Sequence, residues 1–471
     1  MTSETRIVAS PWSGEEIGRV DDATPEALDA AGALAVHGFA AWRATPAWRR
    51  AEALAAIATG IAADREGFAR SIALEAAKPM TDARTEVDRA VLTFRLAAEE
   101  ARRLYGEWLP LDVAPGAEGR SAIVRRLPAG PVLAITPFNF PLNLVAHKVA
   151  PALAAGCSIV VKPAPQAPLV AQRLLAVAVA AGLPPGVLQV VPTTNERAGQ
   201  LVADERFAVL SFTGSPAVGW ALKARAGRKR VLLELGGNAA AIVHADADLD
   251  RAVARAVTGG FAYSGQVCIS VQRVYAHRAV FDAFVERFVA GVRALTYGDP
   301  LAAATQVSAL IRPAEAARLA GWIAEATAAG GRVLTGGRTL PAAPGAAGRG
   351  LEPTVLTGTA AQPELRVVAE EAFGPLVVVE PYDRIDDAFD AVNAGRFGLQ
   401  AGVWTNDLGI VQRAWERLEV GAVLVNEVPT WRSDVMPYGG VKESGLGREG
   451  VRYAIEEMTE RRTLVLPPPP A

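Results

Sequence analysis

A cysteine, a glutamate and an asparagine, far apart along the chain, carry the groups that acyl chemistry on sulfur requires. Cys268 stands in the polar, glycine-containing stretch YSGQVCIS, whereas Cys157, in ALAAGCSIVVKP, precedes an apolar strand and reads as a small buried hydrophobe. A thiol becomes a nucleophile only in an activating setting that sequence does not display, so Cys268 alone fits a structural residue as well as a reactive one. Glu234 interrupts the apolar strand VLLELGG. It fits a strand-end acid facing solvent, or a general base whose pKa burial has raised. Asn139, between Pro137 and Pro141 in TPFNFPLN, fits a turn residue or an amide donor aimed at a developing oxyanion. Gly214 and Gly219 in SFTGSPAVGWA lie between a strand and a helix, where backbone amides can hold a pyrophosphate. A plain glycine turn has the same pattern. Lys148 and Lys162 read on their own as ordinary surface lysines.

These residues sit on elements whose pattern is legible. The first hundred residues read as helices, with apolar side chains recurring at three- and four-residue steps in PEALDAAGALAVHGFAAWRA and WRRAEALAAIATGIAADREGFARSIALEAA. From Ser121 the pattern changes: SAIVRRLP and GPVLAITP suggest short strands divided by a Pro/Gly turn. Strand and helix then alternate from PVLAIT through SIVVKP, VLQVVP and AVLSFTG to RVLLEL. That alternation predicts βαβ crossovers and a parallel sheet covered on both faces, an architecture that binds dinucleotides beyond the carboxyl ends of its strands. A second α/β unit starts after Gly236–Gly237, with strands in SVQRVYAH, RVLTGG, LVVVEPYD and GAVLVN, and the terminal TLVLPPPPA reads as a short strand stopped by proline.

With 471 residues the chain exceeds one hydrophobic core. Net charge is −2 with both signs interspersed, which argues against nucleic acid or an anionic membrane as the main partner. No run of about 18 uncharged apolar residues suggests a membrane span, and no basic-then-apolar leader is seen, so a cytoplasmic protein is expected. Two cysteines and four unpaired histidines provide neither a disulfide framework nor a metal-ligand pattern; no metal is expected.

Taken together, PFNFP, KPAPQAP, FTGSPAVG, LELGGN, GQVCIS, EEAFGP and PYGGVKESGLGREG occur in an order, and over nearly the whole chain, that resembles the aldehyde dehydrogenase superfamily. GQVCISVQR and TWRSDVMPYGGVKESG look most like the branch containing lactaldehyde dehydrogenases. The resemblance implies an α/β fold of two Rossmann-type units plus a small β oligomerisation element. Residues 1–112 and 132–236 would form the NAD(P)-binding unit, 237–438 the catalytic unit, and 113–131 with 455–471 the oligomerisation element of a homodimer or homotetramer.

Carried over by position, Cys268 is the nucleophile, Glu234 the base, Asn139 with the Cys268 amide the oxyanion hole, and Lys148 a proton relay. The cofactor, NAD or NADP, would contact Thr136, Pro137, Phe138, Lys162, Pro165, Gly214, Ser215, Gly219, Leu235, Glu371 and Phe373. The implied reaction runs through a thiohemiacetal and a thioester, with hydride passing to the cofactor. Relatives that pass the acyl group to coenzyme A lack the Glu234 carboxylate, so its presence favours hydrolysis; an acylating enzyme and a non-catalytic member of the fold stand as alternatives. Many NAD-specific relatives carry a glutamate where this chain has Pro165, which leaves NADP open. The substrate channel is assigned Asn143, His147, Val267, Ile269, Trp431 and Arg432. If PLNLVAHK is helical, Asn143 and His147 share a face with Asn139. Polar Asn143 and His147 with Arg432 predict a short hydroxylated or anionic aldehyde; pairing of His147 and Arg432 with neighbouring acids is the competing reading. Val267 brings no positive charge for a phosphorylated substrate.

Overall fold

The computed structural model describes residues 4–343 and 348–468. Two mainly parallel sheets organise it. In the first, Val132–Ile135 lies at the centre, flanked on one side by Ile159–Lys162 and Leu188–Val190, on the other by Val209–Thr213 and Arg230–Glu234. A short antiparallel strand, Gly445–Leu446, returns late in the chain to pair with Arg230–Glu234. Every residue of Val132–Ile135 and Ile159–Lys162 is buried, as expected of strands covered by helices on both faces. The chain winds outward in both directions from Val132–Ile135, so the crevice beyond its carboxyl end, beside that of Val209–Thr213, is the switch point where such sheets bind ligands.

The second sheet has the order Arg332–Thr335, Thr354–Thr357, Leu376–Tyr382, Val271–His277, Ala239–Val243, Gln400–Trp404, Ala422–Val425, with antiparallel pairing confined to the first strand. Residues 235–238 join the two sheets, so the carboxyl end of Arg230–Glu234 faces the amino end of Ala239–Val243. The site lies between these edges.

Two sequence expectations are corrected. The first hundred residues are not all helical: Glu4–Ala9 and Glu16–Asp22 form an antiparallel hairpin before the helices begin at Pro25. Its alternation is too short and too exposed to register as periodicity. SAIVRRLP and GPVLAITP are short strands divided by a Pro/Gly turn, as expected, and they belong to different sheets. Ser121–Pro128 joins a separate three-stranded antiparallel sheet, between Glu107–Pro110 and Thr459–Leu466, while Val132–Ile135 enters the parallel sheet. Asn139 is not on the helix that follows it; that helix spans Asn143–Ala155, with Asn139 in the preceding bend. The terminal strand ends before Pro467, as proline requires, and residues 469–471 of the expected oligomerisation element lie outside the described residues. No described helix is long and apolar enough to cross a membrane.

Candidate active site

Cys268 is delivered by a strained turn. The helix Leu249–Phe261 is followed by Tyr263 and Ser264 at φ +48° and +55°, then by Gly265 at +68°. Non-glycine residues in this region cost of order 1–3 kcal/mol each, so the surroundings must hold them. Asp82 accepts the Tyr263 N–H at 3.0 Å, the Tyr263 hydroxyl donates to the Ala76 carbonyl, and Ser264 exchanges hydrogen bonds with Ser308. Lys78, buried and ion-paired with Glu86, lies 3.6 Å from the Phe140 ring centroid and 4.3 Å from that of Tyr263. Glu86 also accepts the amides of Leu142 and Asn143, so one buried cluster ties the cysteine turn to the start of the Asn143 helix.

Two cavities meet at the Cys268 sulfur. One, of about 140 Å³, is lined by Lys78, Arg89, Asn143, Val267, Ile269, Arg432 and Tyr438, together with Glu234 and Glu449. The other, of about 250 Å³, runs along the carboxyl edge of the first sheet past Pro137, Phe138, Asn139, Gly214, Ser215, Leu235, Glu371 and Phe373. Cys268, Glu234, Leu235, Leu144 and Thr213 border both.

The charged groups here are not ordinary. Glu234 is buried, not a solvent-facing strand-end acid. Burial and the neighbouring Glu449 carboxylate raise its pKa well above the usual range, against the pull of Arg432 and Lys148. Its Oε2 has no hydrogen-bond partner in the described structure. Burial pushes the Cys268 thiol up to about 12, offset in part by the Tyr438 hydroxyl 3.0 Å away. Burial would also raise Glu449, but Lys148 and Arg432 outweigh it and hold that carboxyl at about 2. Asn139 Nδ2 donates one proton to the Gln266 carbonyl at 3.0 Å, leaving its second N–H for the cleft.

Lys148 and Lys162 are buried rather than exposed, another departure from expectation. Lys148 donates to Glu449 and Ser211. Lys162 donates to Asn195 at 2.6 Å, and burial with Arg6 nearby lowers it to about 8. Thr136, Lys162, Pro165 and Gly219 do not line the cleft beside the sulfur: Thr136 N–H donates to the Lys162 carbonyl, the Pro165 carbonyl accepts from Arg6, and Gly219 packs on Leu235. Of the residues assigned to the substrate channel, Asn143, Val267, Ile269 and Arg432 line the small cavity. His147 and Trp431 do not. His147 is buried behind Arg432, 3.0 Å from Asp434, and Trp431 is half-exposed. Arg432 pairs with Glu449 at 3.3 Å and, through Nε, with Asp434 at 3.9 Å, so it does pair with neighbouring acids, although its Nε has no hydrogen-bond partner.

Sequence reasoning missed Tyr438, Glu449, Asp434, Arg89 and Lys78. Arg89 sits on the helix Met80–Ala101, bonded to Asp434 at 2.6 Å across most of the chain length. No local pattern marks such a partner. Tyr438 and Glu449 stood inside the quoted PYGGVKESGLGREG, but their roles depend on what they face.

A family model described as "Aldehyde dehydrogenase family" matches residues 1–464. The chain belongs to this family. Among its relatives, the 3-sulfolactaldehyde dehydrogenase of Priestia aryabhattai is 41% identical over 466 residues, covering 99% of this chain and 95% of the relative. The structure of aldehyde dehydrogenase 21 from Physcomitrella patens, in complex with the reaction product succinate, superposes with a TM-score of 0.95 at 40% identity, covering 99% and 95% of the two chains. The glyceraldehyde-3-phosphate dehydrogenase of Methanocaldococcus jannaschii, complexed with NADP, gives 0.93 at 36% identity over 99% of each.

Aldehyde dehydrogenases use NAD or NADP, and the larger cleft suits such a group. The helix Pro216–Arg225 begins at Ser215 without a side-chain cap and with proline at its first position. Its amino end and the unpartnered Thr213 hydroxyl therefore open on the cleft where a pyrophosphate can lie. At the other end Glu371 accepts the Gly237 N–H at 3.0 Å, which leaves its second oxygen able to accept from a ligand hydroxyl. Burial raises that carboxyl to about 7.

Proposed function

We propose that this aldehyde dehydrogenase oxidises a short anionic or hydroxylated aldehyde to its carboxylic acid through a thioester on Cys268. The observation that carries the reading is the sulfur's position where a small cavity bearing Arg89 and Arg432 meets the cofactor cleft. At about 140 Å³ the cavity is well below the roughly 300 Å³ at which pockets for larger ligands begin, which suits a short substrate. Two named relatives, acting on a sulfonated aldehyde and yielding succinate, support an anionic group.

In this reading the Cys268 thiolate adds to the aldehyde carbon, and the oxyanion meets the free Asn139 N–H and the Cys268 amide. A nicotinamide dinucleotide would be held by Pro137, Phe138, Gly214, Ser215, Leu235, Glu371 and Phe373 and would supply the hydride acceptor that aldehyde oxidation needs. Glu234 takes a proton from water, the resulting hydroxide adds to the thioester, and the C–S bond breaks to give the acid and restore sulfur. Lys148 and Glu449 stand on the path by which that proton leaves. Pro165, with Arg6 and Lys162 close by, leaves room for NADP as well as NAD.

We take residues 1–112 and 132–236 as the NAD(P)-binding unit, 237–438 as the catalytic unit, and 113–131 with 455–471 as the oligomerisation element. The test is an aldehyde panel run with each cofactor and without coenzyme A. Wild type should reduce cofactor with succinic semialdehyde or lactaldehyde, and Cys268→Ser should lose at least about a thousandfold in rate. Normal turnover by the serine variant would refute the mechanism.

A further inference from the structure

The Cys268 sulfur lies 3.0 Å from the Tyr438 hydroxyl, and the tyrosine that carries it is held by its backbone and by its ring. The Tyr438 and Glu449 backbones exchange hydrogen bonds at 3.0 and 2.6 Å. The Arg432 guanidinium lies 3.7 Å from the Tyr438 ring centroid, and Arg432 is itself tied to Glu449 at 3.3 Å. Tyr438 is buried, 3% exposed, so its hydroxyl has little bulk water to turn to.

A phenol has one proton to donate. Beside a neutral thiol, either atom can serve as donor in a weak bond. Beside a thiolate, the tyrosine must donate, and the bond becomes charge-assisted, roughly twice as strong. The pairing therefore favours ionised sulfur. We infer that Tyr438 is a catalytic residue that donates a hydrogen bond to the Cys268 thiolate, stabilising the anion and fixing the sulfur where the two cavities meet. The inference rests on Cys268 being the nucleophile.

The other charged groups facing the sulfur are Glu371 from the loop before Leu376–Tyr382, Arg432 from the loop after Ala422–Val425, and Glu234 from the end of its strand. The two carboxyls oppose ionisation, as burial does, and Arg432 favours it. Arg432 also lies against the ring that carries the donor. A cation on a π face draws density from the phenol and strengthens its O–H as a donor. The chain thus links its substrate-facing cation to its nucleophile through one aromatic ring.

The test follows alkylation of Cys268 by iodoacetamide against pH in the cofactor-free protein, with Cys268→Ser as the blank. Losing a hydrogen bond to a charged group corresponds to about one to two pKa units. Tyr438→Phe should therefore be alkylated about tenfold to a hundredfold more slowly at any pH where both thiols are mostly neutral. Replacement of Tyr438 by 3-fluorotyrosine, a more acidic phenol, should speed alkylation and lower the apparent midpoint while preserving the packing. If Tyr438→Phe does not fold, the fluorotyrosine protein alone decides. Coincident profiles for wild type and the fluorotyrosine protein overturn the inference. Retained dehydrogenase activity in Cys268→Ser would instead overturn the functional reading, so the two failures are distinguishable.

Discussion

Glu234 shows how position alone sets the chemistry of a carboxyl. A Cβ on Gly439 would fall 2.9 Å from Glu234 Oε1, so the glycine leaves space for the side chain to lie in the cavity wall. Burial and the Glu449 charge then raise its pKa. A base with a raised pKa loses its function as pH falls through that raised value. The acid limb of kcat should thus lie above about 4.3, the ordinary glutamate value; a limb at the ordinary value would contradict the assignment. Glu234→Gln should still acylate, giving a burst of one reduced cofactor per site in stopped flow, followed by turnover about a hundredfold or more slower. In the cavity lining, Arg89→Ala should raise KM for succinic semialdehyde about tenfold or more, by loss of a charge-assisted bond, and leave propanal nearly unchanged. Equal effects on both aldehydes would show that Arg89 does not hold an anion.

Elements matter here through their ends. The nucleophile hangs on the turn between the helix Leu249–Phe261 and the strand Val271–His277, and that turn keeps two non-glycine residues at positive φ. Gly265 finishes it at φ +68°, with an added Cβ falling 2.2 Å from the Gly374 carbonyl oxygen. Gly374 follows Phe373 and Glu371, so the same contact aligns the sulfur with the proposed nicotinamide contacts. Gly265→Ala should lower stability by at least about 1 kcal/mol in denaturant titration and depress kcat with it. A stable, fully active variant would show that the turn tolerates movement. The fully buried helix Asn143–Ala155 plays a comparable part: its first turn is fixed by Glu86, which places Asn143 in the cavity and Lys148 against Glu449.

Across the whole molecule, acid sensitivity follows from buried charge. Glu449, held at about 2 by Lys148 and Arg432, is ionised in the fold at pH values where an unfolded glutamate, near 4.3, takes up a proton. Its stabilising contribution is complete above the unfolded value and is lost as pH falls toward 2. Asp434, lowered by His147 and Arg89 against the effect of burial, acts in the same direction. Melting temperature should fall steeply below about pH 4.3, and less steeply in Glu449→Gln, which starts from a lower plateau; parallel curves would refute the linkage. The sheet formed by Glu107–Pro110, Ser121–Pro128 and Thr459–Leu466 exposes Trp108, Ile123 and Leu464 in one cross-strand row. An apolar face of this kind fits a homo-oligomer. Leu464→Glu should shift the sedimenting species toward the monomer, and an unchanged mass would place the interface elsewhere.

The alternation of strands and helices from Val132 to Glu234 was readable because fully buried strands are continuous apolar runs and their helices carry a 3.6-residue period. Family motifs marked Cys268, Glu234 and Asn139, and the structure brings all three to the margins of the same cleft. Sequence did not reveal that Lys148 and Lys162 are buried, that His147 packs against Arg432 outside the lining of the small cavity, or that Tyr438 touches the sulfur. A residue's type and its neighbours in sequence follow from local order. Its burial, its ionisation and its hydrogen-bond partners are set by segments hundreds of residues away, as Arg89 and Asp434 show, and only the packed chain supplies those.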